Sequence, residues 1–234
     1  MPTTLVHTKI AVIIPAYNEE ASIGNVVRDI PTDWVEEVVV VSNASTDNTE
    51  KNAQEAGATV LQEEERGYGS ACLKGISYLA AKENPPNIIV FLDGDYSDYP
   101  EELTEVVKPI LEGEADMVIG SRVLGKREKG SLTPQQVFGN WLATTLIRWL
   151  YGVAFTDLGP FRAIKFDRLI ALDMEDKTYG WTVEMQVKAA KNHFHSVEVP
   201  VNYRKRIGVS KVSGTIKGSI LAGYKILWTI FKLL

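Results

Sequence analysis

The sequence predicts an α/β fold with a mostly parallel central sheet flanked by helices. Short β-branched or apolar runs, each bounded by polar or turn residues, alternate with amphipathic stretches long enough to be crossover helices. Strand then helix, repeated, is the pattern of a parallel sheet with helices on both faces. In such sheets ligands bind at the carboxyl ends of the strands, so the residues that follow each strand are the candidates for chemistry.

The first 120 residues carry the clearest alternation. The predicted strands are 10–14, 38–41, 58–61, 88–92 and 117–119, and the predicted helices between them are 19–29, 47–56, 70–82 and 101–111. Pro100 suits the first turn of the fourth helix. Beyond Gly120 the pattern weakens: we predict a mobile loop at 125–134, helices at 135–151 and 178–192, and a strand at 196–199 that Pro200 closes.

Length and composition indicate one ordinary globular domain. The chain has 234 residues, 45% of them hydrophobic and 24% charged, which excludes collagen-like and disordered proteins. Cys72, the single cysteine, allows neither an intramolecular disulfide nor a thiolate zinc site. The first ten residues lack a basic segment followed by an apolar run, so we expect no signal peptide and a cytoplasmic protein.

The charge is unevenly distributed along the chain. The formal net charge of −5 argues against a nucleic acid partner. Residues 201–234, however, contain seven Lys or Arg residues and no Asp or Glu. An anionic partner at this end and plain solvated positive charge both fit this composition.

The strongest chemical signal is the pair Asp93 and Asp95, which flank Gly94 directly after the predicted strand 88–92. Carboxylate oxygens suit Mg²⁺ or Mn²⁺, and such ions commonly bridge a few carboxylates to substrate phosphates. A tight Asp-Gly turn is the alternative interpretation. The position after a buried strand, where the sheet edge opens to ligands, favours the metal.

Taken together, the strand ends resemble family 2 glycosyltransferases, which are inverting enzymes with the GT-A nucleotide-sugar fold. The matching segments are PAYNE at 15–19, SNASTD at 42–47, RGYG at 66–69, DGD at 93–95, GSR at 120–122, TDLGPFR at 156–162, GW at 180–181 and RIGVSK at 206–211. They span nearly the whole chain in order. Within the family the chain looks most like the dolichyl-phosphate mannose synthase branch, whose members transfer a sugar from a nucleotide to a polyprenyl phosphate.

The resemblance implies a set of residues that bind the nucleotide sugar. They are Pro15, Ala16, Tyr17, Glu19, Asn43, Gly67, Asp93, Gly94, Asp95 and Arg122. Relatives commonly carry Asp-Asp or Asp-Asn where this chain has Ser42 and Asn43, and an amide both donates and accepts. The base, uracil or guanine, therefore stays open. Asn18 and Asp47 have a second interpretation as helix caps, and Arg122 as half of a structural ion pair.

The resemblance also implies metal ligands and catalytic groups. It places Mg²⁺ or Mn²⁺ on Asp93 and Asp95, with Ser97 or Asp98 as candidates to complete the shell. Asp157 is the candidate base for a hydroxyl acceptor, with Glu184 as second choice. A polyprenyl phosphate is already anionic and needs no base. With that acceptor Asp157 would orient other groups, and three basic residues would hold the acceptor phosphate: Arg204, Arg206 and Lys211.

The last twenty residues predict an amphipathic helix. At 100° per residue Lys217, Lys225 and Lys232 fall within an arc of about 80°, beside Tyr224 and Trp228. The apolar side opposite them carries Ile226, Ile230 and Leu233. An interfacial helix on anionic lipid and a helix packed on this domain or on a second copy of the chain fit equally well. No stretch is long and apolar enough to predict a spanning helix.

The sequence therefore leads to one principal hypothesis. We expect a glycosyltransferase domain at 1–211 and an amphipathic helix at 212–234, which is part of the same domain or forms a membrane-surface or dimer contact. The enzyme would be peripheral on the cytoplasmic membrane face and would move a hexose from GDP-mannose or UDP-glucose to a polyprenyl phosphate. A soluble or glycan hydroxyl acceptor, and a nucleotide-sugar-binding module without turnover, are the alternatives.

Overall fold

The computed structural model describes residues 8–208 and 216–234, and within them the α/β prediction is confirmed. The strands are β1 (Ile10–Ala16), β2 (Glu37–Asn43), β3 (Thr59–Glu63), β4 (Ile88–Phe91), β5 (Met117–Ser121), β6 (Arg162–Lys165) and β7 (Ser196–Pro200). The helices are α1 (Ile23–Asp29), α2 (Thr49–Glu55), α3 (Tyr68–Ala80), α4 (Leu103–Leu111), α5 (Pro134–Tyr151), α6 (Phe166–Ala171), α7 (Trp181–Lys191) and α8 (Ile216–Lys232). A 3₁₀ turn, Pro100–Glu102, precedes α4.

The strands form one mixed sheet. Its order is β3-β2-β1-β4-β6-β5-β7 in the described residues. All neighbours pair in parallel except β6, which runs antiparallel to both β4 and β5. The sequence analysis missed β6 and the short helix α6 that follows it.

Alternate residues of each central strand serve two different cores. In β1, Ala11 and Ile13 belong to the core under α3 and α7, whereas Ile10, Val12 and Ile14 belong to the core under α1 and α4. Because both faces are covered, the strand is apolar along its whole length. This is why short uninterrupted apolar runs, and not alternating ones, marked these strands in the sequence.

The loop predicted at 125–134 pairs with the chain that leaves β7. The Tyr203 backbone N–H donates to the Lys126 carbonyl at 2.9 Å, and the Glu128 N–H donates to the Tyr203 carbonyl at 2.8 Å. Thr133 and Gln136 then form a capping box that starts α5. These bonds bring the residues after β7 alongside the end of β5.

Helix α8 packs on α5 and α7 through one of its faces. Ile230 is fully buried there, and Ile226 and Leu233 are partly buried against the same core. The predicted apolar side therefore packs on the body of this chain. Lys225 pairs with Asp176 at 2.9 Å, and Lys232 lies 3.9 Å from Glu175. Within the described residues, no helix is long and apolar enough to span a membrane. The domain boundary at 212 stays a prediction.

The start of α3 lies directly against the loop that follows α6. A Cβ added to Gly69 would lie 1.8 Å from the Asp176 carbonyl oxygen, and one added to Gly67 would lie 1.9 Å from that of Lys177. The Ser70 N–H donates to the same Lys177 carbonyl at 3.0 Å. Only glycine allows this approach of two backbones.

We expect Gly69→Ala to lower the free energy of unfolding by about 2–4 kcal/mol, since the methyl group must push backbone apart. Gly139→Ala is the matched control, because a Cβ at Gly139 in α5 meets nothing within 4 Å. That variant should stabilise the protein by about 0.5–1 kcal/mol through helix propensity. Urea denaturation measures both values, and an unchanged midpoint for Gly69→Ala would contradict the packing described.

Candidate active site

A cavity of about 600 Å³ opens at the carboxyl ends of β1, β2 and β4, as the topology of a parallel sheet requires. All ten residues predicted to bind the nucleotide sugar line it: Pro15, Ala16, Tyr17, Glu19, Asn43, Gly67, Asp93, Gly94, Asp95 and Arg122. Arg206 also lines it. The structure thus brings together residues from six separate segments of the chain.

The DGD carboxylates form the acidic floor of the cavity. Asp95 Oδ1 accepts hydrogen bonds from the Ser97 backbone N–H at 2.9 Å and from the Ser97 hydroxyl at 2.5 Å. Asp95 Oδ2 forms an ion pair with Arg206. Asp93 is partly buried, and its buried Oδ1 has no hydrogen-bond partner among the described residues. Burial, reinforced by the charge of Asp95, raises the pKa of Asp93 to about 7.

A third carboxyl, Asp98, lies beneath this pair. It is 1% exposed, and neither of its oxygens has a hydrogen-bond partner among the described residues. Burial, then the nearby charges of Asp93 and Asp95, raises the pKa of Asp98 well above its ordinary value. Unpartnered buried carboxylate oxygens are costly unless a proton or a cation compensates them. The donor set of this floor therefore fits a hard divalent cation.

The side chains of the described residues do not by themselves complete a metal site. Within residues 8–208 and 216–234, no group of three or more His, Cys, Asp or Glu side chains has the arrangement of a metal centre. A cation held by Asp93 and Asp95 would need further oxygen ligands from a bound substrate.

Arg122 and Asp157 form the ion pair that the sequence analysis gave as an alternative for Arg122. The guanidinium contacts both carboxylate oxygens, at 2.7 and 2.8 Å, and the Arg122 backbone N–H donates to Oδ2 at 2.8 Å. Burial would raise the pKa of Asp157, but the Arg122 charge and hydrogen bonds outweigh it and lower that pKa overall. Arg122 lines the cavity, whereas Asp157 lies behind it.

Two further residues predicted for the site, Glu184 and Arg204, do not line the cavity. Glu184 accepts from the backbone N–H groups of Glu175 and Asp176 at 3.0 and 2.7 Å, and pairs with Lys188 at 2.8 Å. Its carboxylate therefore holds the loop that packs on α3.

Arg204 also makes its contacts with the protein itself and does not face the cavity. It lies over Tyr96 and Tyr99, with its central carbon 3.5 and 4.2 Å from the two ring centroids. It also donates to the carbonyls of Tyr96 and Asp98 at 2.7 and 3.1 Å. Lys211, the third basic residue predicted to hold the acceptor phosphate, lies outside the described residues.

The Asn43 side chain organises the loop after β3. Its Nδ2 donates to the carbonyls of Glu63 and Glu65 at 3.2 and 2.8 Å, and its Oδ1 accepts from the Gly67 N–H at 2.7 Å. Asp47 accepts from the N–H of Thr49, the first residue of α2, at 3.0 Å, although the N-cap residue of that helix is Asn48. Asn18 accepts from the Thr46 N–H at 2.8 Å and so joins the loops after β1 and β2.

The sequence analysis missed the wall of the cavity that two helices build. Residues of α5 and α8 line it: Gln135, Gln136, Gly139 and Asn140 from the first helix, and Ala222, Gly223 and Ile226 from the second. Asn140 in an otherwise apolar stretch was the available signal. It donates to the Thr156 carbonyl at 2.9 Å and accepts from the Leu158 N–H at 2.9 Å, which anchors the loop that carries Asp157.

A mixed α/β sheet with an acidic pair after a central strand, in a cavity sized for a nucleotide, defines a class of nucleotide-dependent α/β enzymes. Residues 11–172 match the family model described as glycosyl transferase family 2. The chain belongs to that family and is a glycosyltransferase, which confirms the resemblance inferred from the strand ends.

Relatives and one group of solved structures extend this result. The chain is 30% identical over 225 residues to the undecaprenyl-phosphate mannosyltransferase of Micrococcus luteus, covering 90% of each chain. It is 30% identical over 217 residues to the dolichyl-phosphate hexose transferase of Haloferax volcanii, covering 91% of this chain and 90% of the relative. The Mycobacterium tuberculosis glucosyl-3-phosphoglycerate synthase, solved with Mn²⁺, UDP and glucosyl-3-phosphoglycerate, superposes with a TM-score of 0.77 at 21% identity over 98% of this chain and 81% of that chain.

Proposed function

We propose that the protein is a metal-dependent, inverting glycosyltransferase that moves a hexose from a nucleoside-diphosphate sugar to a polyprenyl phosphate. The observation that carries the proposal is one cavity with an acidic floor at the strand ends, a polar wall from α5 and a wall of small and apolar residues from α8. The names of the two relatives from Micrococcus luteus and Haloferax volcanii support the lipid-phosphate acceptor.

The donor would occupy the strand-end half of the cavity. Asp93 and Asp95 would hold Mg²⁺ or Mn²⁺, and the donor diphosphate would supply the remaining oxygen ligands. When bound, the cation would stabilise the negative charge of the departing nucleoside diphosphate. Arg122 lines the same cavity with a fixed positive charge and would contact the diphosphate. The solved structure of the glucosyl-3-phosphoglycerate synthase with Mn²⁺ and UDP supports this arrangement.

The nucleoside would lie between the ends of β1 and β3. Tyr17 and Glu19 come from one side, and Arg66 from the other, with its guanidinium carbon 4.9 Å from the Tyr17 ring centroid. An aromatic ring with an exposed arginine above it suits a flat heterocyclic base. Both ends of the Asn43 amide are already bonded to the backbone, so we propose that Asn43 shapes this pocket. Whether the base is uracil or guanine is a question for experiment.

The acceptor determines which chemistry Asp157 must perform. A polyprenyl phosphate is ionised at neutral pH, so its oxygen attacks without a base. The ion pair and the lowered pKa of Asp157 suit a residue that fixes Arg122, not one that accepts a proton. Arg206 at the cavity would contact the acceptor phosphate. A hydroxyl acceptor is the second candidate, favoured by the structural similarity to an enzyme solved with a soluble product.

One transfer assay tests the proposal. The protein is incubated with Mn²⁺, a polyprenyl phosphate and radiolabelled GDP-mannose or UDP-glucose, and the label is partitioned between organic and aqueous phases. We expect label in the organic phase with one of the two donors and none without the lipid phosphate. Label only in a water-soluble product, with 3-phosphoglycerate as the soluble acceptor tested, would replace the lipid acceptor by the hydroxyl one.

Exposed aromatic side chains on the two wall helices support contact with a membrane surface. Phe138 and Trp141 of α5 are 60% and 58% exposed, and Tyr224 and Trp228 of α8 are 64% and 52% exposed. Phe231 of α8 is half exposed as well. Large exposed apolar patches mark interaction surfaces, and amphipathic tryptophans favour the lipid headgroup region. A lipid acceptor would reach the cavity between these helices.

We expect the double variant Trp228→Ser, Phe231→Ser to bind vesicles of phosphatidylcholine with phosphatidylglycerol more weakly, by about tenfold for each aromatic side chain lost. Ile170→Ser is the control, because Ile170 is an exposed apolar residue on α6. Vesicle co-sedimentation measures the partition coefficient. Unchanged binding of the double variant would contradict lipid contact. A fall from dimer to monomer on size exclusion would instead assign the surface to a second copy of the chain.

A further inference from the structure

Arg206 joins two carboxylates that come from different strand ends. Its guanidinium pairs with Asp95 Oδ2 and lies 3.7 Å from Glu19 Oε1. The next residue reinforces this position, since the Ile207 N–H donates to the Asp95 carbonyl at 3.0 Å. The segment after β7 is thereby attached to the acidic motif by one side-chain contact and one backbone contact.

This arrangement leaves Asp95 fully engaged. Ser97 donates to its Oδ1, and Arg206 contacts its Oδ2. A divalent cation that bound Oδ2 would meet the guanidinium at the same oxygen, and two positive charges a few ångströms apart repel each other. Binding of a cation at Asp95 therefore disfavours the present position of Arg206.

Arg206 is held differently from its near neighbour Arg204. Arg204 is held between Tyr96 and Tyr99 and by two carbonyls, so the chain is fixed two residues earlier. The Arg206 side chain is 31% exposed and its long stem reaches the cavity, where a guanidinium can also bind a phosphate in a bidentate manner.

We propose that Arg206 is an internal counter-cation that occupies the carboxylates of Asp95 and Glu19 until a divalent cation displaces it toward the acceptor phosphate. This inference rests on the proposed function and adds a coupling to it: the cation and the acceptor phosphate favour each other's binding through Arg206. By linkage, a cation that releases Arg206 must raise the affinity for the acceptor phosphate, and the phosphate must raise the affinity for the cation by the same factor.

The test measures Mn²⁺ binding to the full chain without nucleotide or acceptor, by the electron paramagnetic resonance signal of free Mn²⁺. Arg206→Gln should bind Mn²⁺ about tenfold more tightly than the unmodified protein, because the competing charge is gone. Lys205→Gln is the control: it removes the same charge one residue away, from a side chain 3.8 Å from Glu128, and should leave Mn²⁺ affinity unchanged. Thermal unfolding verifies that both variants fold.

Farnesyl phosphate provides a second readout. Mn²⁺ should strengthen its binding to the unmodified protein, and Arg206→Gln should remove most of that gain. Equal Mn²⁺ affinity in Arg206→Gln and the unmodified protein, or an equal effect of Lys205→Gln, would overturn the displacement of Arg206 while leaving the proposed metal site intact. Absence of Mn²⁺ binding in every protein, with or without UDP or GDP, would overturn both proposals.

Discussion

Asp95→Asn should lower sugar transfer by about 1000-fold, the effect expected when a catalytic metal and its charge stabilisation are lost. The substitution keeps the contacts of Oδ1, because an asparagine oxygen can still accept from the Ser97 N–H and hydroxyl, but it replaces the oxygen that pairs with Arg206 by an amide nitrogen. It removes the negative charge that would hold the cation. The defect should therefore appear in turnover and in Mn²⁺ affinity, with the midpoint of thermal unfolding close to that of the unmodified protein.

Chelation provides the parallel experiment. EDTA should abolish transfer by the unmodified protein and added Mn²⁺ should restore it, whereas Mn²⁺ should not restore transfer by Asp95→Asn. The control is Asp33→Asn. Asp33 is an exposed carboxyl in the loop before β2, so it lies at the amino-terminal ends of the strands, away from the cavity. Full turnover by Asp95→Asn, or transfer that survives EDTA, would remove the metal from the proposed mechanism.

The strand ends were predictable because local sequence determines them. A buried parallel strand is apolar along its length, and the chain must turn polar where the sheet ends, so residues 15–19 and 93–95 were recognisable without tertiary information. Their meeting in one cavity follows from parallel topology alone. The start of α3 at Tyr68, next to Gly67, was also close to its predicted position.

The partners of the charged side chains were not predictable in this way. Arg204 and Arg206 are two residues apart, yet one is enclosed by two tyrosines and the other faces the carboxylates. Glu184 was a candidate catalytic base by residue type, but its carboxylate accepts from two backbone N–H groups. Which contact each side chain makes depends on loops that the fold brings together, and the spacing of residues along the chain does not predict it.

Strand β6 was missed for a related reason. It is only four residues long, and because it runs antiparallel between β4 and β5 it lies outside the regular alternation of parallel strands and crossover helices. It also begins with Arg162, a charged residue that is fully buried. A charge at the start of a short run is normally a sign of a surface loop. Here the charge is compensated from every side.

Arg162 holds together the loop that carries Asp157 and the helix α7. Its guanidinium donates to the carbonyls of Leu158 and Gly159, to the Thr182 carbonyl at 2.9 Å and to the Gln186 side chain at 3.5 Å. Burial lowers the pKa of Arg162 to about 10, so it stays charged at neutral pH. A buried cation is tolerated only because so many acceptors surround it.

Arg162→Met should therefore lower the free energy of unfolding by about 3–5 kcal/mol, a large part of the stability of an ordinary domain. Methionine fills the volume but removes the guanidinium donors from the buried carbonyls of Leu158 and Gly159, which is the costly half of losing a hydrogen bond. Guanidinium chloride denaturation measures the change. Arg148→Met, an exposed arginine of α5, should change it by less than about 0.5 kcal/mol.

The variant Arg162→Lys separates two causes of this destabilisation, the loss of the buried charge and the loss of donors to the buried carbonyls. Lysine keeps the charge but has three donors on one atom, so it can satisfy only part of the carbonyl set that the planar guanidinium reaches. If unsatisfied carbonyls dominate, Arg162→Lys should fall between the unmodified protein and Arg162→Met. If Arg162→Met proved as stable as Arg148→Met, the hydrogen bonds that join α7 to the loop around Asp157 would contribute little, and the geometry of the Arg122–Asp157 pair would need another support.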